Sequence, residues 1–206
     1  MLMNNGPNTR SYSPVPVDSA HQQRAGMPKE DPHEKLKVLV KDQIAHEVMT
    51  AMVYAELAEA YWKMGLMGHK YKMCHIAVEE FKETFDWRKF YHDVFDEVPK
   101  IVIEYETKDH AKSLDEIHNR LYDLYAKNKA NLHAILMLVS EHHMYEDMNH
   151  LLKAYQKCEK YQKKLECKSR RAQTFGYDVS YILDHDEKLK CKYKHYRDYH
   201  KHDECE

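Results

Sequence analysis

The sequence predicts an all-α protein: four long helices in one bundle, a long crossover between the second and third, and a short fifth helix. Three observations predict this. Glycine and proline nearly vanish after residue 32, leaving only Gly65, Gly68, Gly176 and Pro99 to interrupt the chain. Apolar residues between those breaks recur every three or four positions, the spacing of one helical face. The links differ in length: short after the first and third helices, long after the second, which makes the middle pair parallel.

The first 32 residues are polar and rich in proline (Pro7, Pro14, Pro16, Pro28, Pro32) with no period, and read as a disordered arm. The first helix is expected over 34–63. At about 100° per residue, Val40, Ile44, Glu47, Ala51, Tyr54, Ala55 and Ala58 share a face. The second, over 69–95, aligns Met73, Ile76, Ala77, Glu80, Thr84, Trp87, Tyr91 and Val94, with Glu83 at the edge. Each stripe thus carries an acid near its middle. The crossover contains KIVIEYE, whose β-branched alternation predicts a short extended segment with an edge to pair. The third helix, over 113–140, turns Leu114, Ile117, His118, Leu121, Tyr125, Asn128, Leu132, Ile135 and Val139 inward. The fourth, over 146–173, has the stripe Met148, Leu151, Leu152, Tyr155, Glu159, Gln162 and Glu166, apolar at first and then polar. The fifth is expected over 177–192. The organisation is therefore an arm (1–32), a bundle with its fifth helix (33–192) and a charged tail rich in His and Tyr (193–206).

Composition excludes several classes. A net charge of −2 and a pI near 6.8 give no basic footprint for nucleic acid. No apolar run reaches the roughly 18 residues of a membrane span. The N-terminal stretch lacks the apolar core of a secretory signal, so the expected location is cytoplasmic. The five cysteines lack CxxC spacing and are expected as free thiols. No G-x-S-x-G, P-loop or G-x-G-x-x-G is present.

The chemistry lies in Glu47 and Glu80. A buried carboxylate needs a partner, a proton or a metal. Two readings stand for this pair: a metal site, or two acids sharing a proton and bonding Tyr54 or water. Glu83 reads as a ligand or a solvated acid. Glu159 and Gln162 have ligand spacing, or lie on a solvated or inter-subunit face. His118 reads mainly as a hydrogen-bonded core histidine, and Tyr125 as core. His195, His200, His202 and Cys205 in the tail lack regular ligand spacing.

The stretch LVKDQIAHEVMTAMVYAELAEAYWKMGLMGHKYKMCHIAVEEF resembles the first helical hairpin of ferritins. Glu47 and Tyr54 are seven residues apart, and twelve residues follow MGL before Glu79-Glu80, as in that family. PKIVIEYE, SLDE and GYDVSYILD resemble its crossover, third-helix start and fifth helix more loosely. The resemblance implies a dinuclear iron centre, ferroxidase-type oxidation of Fe(II), iron storage and a homo-oligomeric shell. Carried over residue by residue, it implies Glu47 and Glu80 as ligands with Tyr54 beside them and Glu79 as neighbour. The histidine expected three residues after Glu80 is Glu83, and the acid expected on the third helix is Tyr125. The same count lands on Cys158 in the fourth helix, where Glu159 and Gln162 are the nearest oxygen ligands. Iron is the expected metal and zinc a second candidate. With an incomplete ligand set, the alternative is a redox-inactive shell or interaction scaffold.

Overall fold

In the computed structural model the described residues are 31–107, 109–141 and 145–195, and they form five helices without a strand among them. The expected arm and most of the tail, with His200, His202 and Cys205, lie outside these residues.

α1 (Pro32–Lys63) begins where Asp31 accepts a hydrogen bond from the His33 amide at 3.0 Å, with proline pre-set for the first turn. It stops at Gly65, whose φ of 75° reverses the chain in a link of three residues, and α2 (Met67–Phe95) returns antiparallel. α2 ends on Asp96, a non-glycine residue with φ of 52°. The crossover then runs to α3 (Leu114–Glu141), which opens with two side-chain caps. Ser113 Oγ accepts from the Glu116 amide at 3.2 Å, and the Glu116 carboxylate accepts from the Lys112 amide at 2.5 Å. α4 (Tyr145–Phe175) ends at Gly176, φ 72°. α5 (Val179–Lys192) starts under the Asp178 cap.

α1 packs against both α2 and α3, α3 against α4, and α5 against α2. Because α1 has two neighbours, its covered arc is wider than one stripe. Leu57, Tyr61, Gln43 and Thr50 are buried along with the expected residues, whereas Ala55 faces outward. Leu152, expected inward on α4, is exposed too. Trp87, Tyr91, Leu57, Ile117, Leu132 and Ile135 fill the centre.

Among the described residues the KIVIEYE segment pairs with no strand, and Val102 on it is 84% exposed. The crossover is held at its far end instead. Arg120 donates to the Asp109 carbonyl and approaches Glu56 at 3.9 Å, while His110 lies 3.5 Å from Glu59.

Candidate metal centre

Glu80 and Glu83 are one helical turn apart on α2 and face Glu47, midway along α1. One carboxylate oxygen from each can be chosen so that all three lie within 4.8 Å of one another. Glu47 and Glu80 are almost fully buried, and Glu83 is half-buried. A fourth group enters from α4: the Lys157 ammonium contacts Glu83 Oε1 and sits 3.7 Å from Glu80 Oε1.

Burial pushes the Glu47 carboxyl up to about 8, reinforced by the charges of Glu80 and Glu83 and only partly offset by Gln43 and Lys157. Burial likewise raises Glu80, against the opposing charge of Lys157. The lysine is the mirror case. Burial lowers it, but Glu80 and Glu83 outweigh that and hold the ammonium above its ordinary range. Gln43 Nε2 donates to Glu47 Oε1 at 2.5 Å, while Glu47 Oε2 is buried without a partner. A proton kept on Glu47 relieves this cluster, and a cation would do the same work.

The sign of the pH dependence follows. A carboxyl raised from 4.5 to about 8 binds more protons folded than unfolded between those values. Its contribution is therefore full below pH 4.5 and lost as pH rises toward 8. Glu47→Gln removes it, so the variant's urea midpoint should fall less steeply than the parent's between pH 5 and pH 8 (about these limits, set by the carboxyl range). Parallel slopes would show that Glu47 titrates normally.

On the α1–α3 side, polar groups pin the first glutamate. Gln43 Nε2 also donates to Asn128 Oδ1 at 2.8 Å, and Asn131 Nδ2 donates to Gln43 Oε1 at 2.8 Å and to the Leu39 carbonyl at 3.3 Å. This network fixes the rotamer of Gln43 and hence the Glu47 oxygen it meets. On the other side, the Tyr54 and Tyr125 hydroxyls are in direct hydrogen-bond contact, and Tyr125 stacks on Tyr161 with centroids 5.4 Å apart. Tyr125 thus fills the place where the resemblance implies an acid from the third helix. Cys158 is buried close by, and burial, then the charges of Glu47 and Glu80, push its thiol up to about 12.

The remaining candidates lie elsewhere. Glu79 points away from the trio and pairs with Lys82 at 2.8 Å. Glu159 pairs with Lys163 one turn along α4 at 3.2 Å and does not join the three clustered acids, and Gln162 is half-buried on the same helix. His118 meets the Tyr177 hydroxyl at 3.2 Å near the start of α3. Sequence reasoning missed Lys157 and Gln43. Gln43 was findable, because it precedes Glu47 by four residues on the same face.

No protein-family model matches the chain, and no curated protein is similar to it. Solved structures are similar in backbone. The open-pore ferritin of the hyperthermophilic archaeon Archaeoglobus fulgidus has a TM-score of 0.67 at 17% identity, over 77% of this chain and 98% of that one. A humanized archaeal ferritin reaches 0.64 at 18% identity, over 76% and 95%. A variant of PmFTN soaked in iron reaches 0.61 at 14% identity, over 74% and 98%. At these low identities the likeness is one of backbone, and the chain has a ferritin-like helical-bundle fold.

Proposed function

We propose that the chain is a subunit of a ferritin-like iron-binding assembly whose bundle takes one Fe(II) at Glu47, Glu80 and Glu83. The observation that carries this reading is the convergence of three carboxylates on one point with Glu47 Oε2 left without a donor. Carboxylate oxygen suits a hard cation. The fit is to a single ion. α3 offers Tyr125 in place of an acid, with its hydroxyl already engaged by Tyr54. No histidine belongs to the trio. Reducing dioxygen to peroxide takes two electrons and one Fe(II) supplies one, so the trio suits holding and passing on iron better than oxidising it. Zinc, which favours nitrogen and sulfur ligands, suits it less. Binding requires Lys157 to withdraw. Its long stem and partial exposure allow its ammonium to turn toward solvent.

Self-association is part of the proposal. Val78, Phe81 and Phe85 form an exposed apolar row on α2, continued in kind by Val98 and Val102 at the crossover.

Anaerobic titration of the metal-free protein with Fe(II) should give one equivalent per chain that is lost in Glu47→Ala plus Glu80→Ala, with helical content retained. Retention of that equivalent in the double variant would sink the reading. A second reading, a shell without a metal centre, is favoured by Lys157 already standing among the acids. It predicts no such equivalent in the parent and a well-folded, metal-free particle by elemental analysis.

A further inference from the structure

Where α5 crosses the first turn of α2, two imidazoles face each other. His69 Nε2 and His185 Nδ1 are 3.2 Å apart. Behind His69 stands Asp186, buried, with Oδ1 2.8 Å from both the ring Nδ1 and the backbone nitrogen of His69. An ionised carboxylate only accepts, so His69 carries its proton on Nδ1 and presents a bare lone pair at Nε2. The carboxylate itself is fixed, since Lys190 Nζ holds its other oxygen at 3.5 Å. Both rings are steadied by tyrosines: Tyr61 stacks on His69 with centroids 5.0 Å apart, and Tyr181 lies parallel to His185 at 6.1 Å.

We propose that His69 and His185 are a binding site for an imidazole-preferring divalent ion of the zinc type, which clips α5 to α2. Two nitrogens bound to one tetrahedral zinc at about 2.05 Å stand about 3.3 Å apart, close to the spacing already present. A carboxylate fixing the far nitrogen of a ligating histidine is the outer-shell arrangement that orients such ligands and raises their basicity. Without a metal, His185 Nδ1 donates to His69 Nε2. With one, His185 shifts its proton to Nε2 and both lone pairs point at the ion, with no net proton released. Water completes the coordination. Asp186 supplies the compensating charge, while Lys72, Lys168 and Lys188 oppose the ion, so the site is selective for metals that bind imidazole strongly over the hard cations suited to the three glutamates.

The test uses the full chain and zinc chloride, with hydrogen exchange read by segment so that binding elsewhere does not interfere. Zinc should slow exchange across 179–192 and raise the melting temperature. The slowed exchange, and the part of the thermal shift that it accounts for, should vanish in His185→Gln and in His69→Gln while circular dichroism is unchanged. They should persist in Glu47→Ala plus Glu80→Ala, which separates this site from the iron reading. Protection of 179–192 that persists in both histidine variants would overturn the proposal. So would an absence of zinc-induced protection in the parent.

Discussion

Gly68→Ala is expected to push α5 off the bundle while leaving the four long helices folded. A Cβ at this position would fall far inside contact with the Asp186 carbonyl oxygen, 2.8 Å from the Lys190 nitrogen and 2.9 Å from the Asp186 carbonyl carbon. These are backbone atoms of α5, so no rotamer change relieves the overlap and the helix itself must shift. A shift separates Asp186 from the His69 amide and ring and uncovers Leu189. Overpacking of this kind costs about 1–3 kcal/mol, and the lost cap adds about 1 kcal/mol. Hydrogen exchange should show 179–192 unprotected, with α1 and α3 close to the parent. Gly65→Ala is the control. It meets nothing within 4 Å and bears only its φ of 75°, a cost of about 1–2 kcal/mol with no effect confined to α5. Undiminished protection of α5 in Gly68→Ala would contradict the close approach of the two helices.

Lys157→Met should be the most damaging surface-accessible change at neutral pH, and a reversible one. It keeps an unbranched apolar stem but removes the ammonium beside Glu80 and Glu83. Breaking a buried pair costs about 3–5 kcal/mol, whereas exposed pairs contribute about 0–1 kcal/mol. With Lys157 about a third exposed and Glu80 almost fully buried, about 1–3 kcal/mol is expected. The loss should shrink as pH falls, because protonated carboxyls no longer need the cation. Manganese(II), a redox-stable stand-in for Fe(II), should raise the melting temperature more in this variant than in the parent, since the site is vacated in advance. Equal shifts in both proteins would mean that the lysine and the metal do not compete for the three acids.

Much of this architecture was legible because it rests on backbone rules. Gly65, Gly176 and Pro32 mark helix ends, and the two acids in apolar stripes marked where α1 and α2 converge. What escaped depended on helix rotation and on neighbours distant in sequence. Ala55 was expected inside and Leu57 was not among the inward residues, because a single stripe does not anticipate a helix covered from two sides. Lys157 was passed over because α4 from Gln156 onward is a mostly polar run, in which periodicity cannot say which residue turns inward. Glu159 and Gln162 carried a plausible spacing on that helix, but the neighbour of Glu159 is its own Lys163. His69, His185 and Asp186 were invisible for another reason: 116 or more residues separate the partners, and only the docking of α5 brings them together.

That separation bears on how the protein is made. Leu66, at the start of α2, offers its own helix no side-chain cap, and the acceptor for the His69 amide is supplied by α5, more than a hundred residues later. As the polypeptide leaves the ribosome, the opening turn of α2 emerges long before Asp186 has been synthesised. It must wait frayed until α5 has been made, and a chain cut short before α5 would keep that turn loose for good.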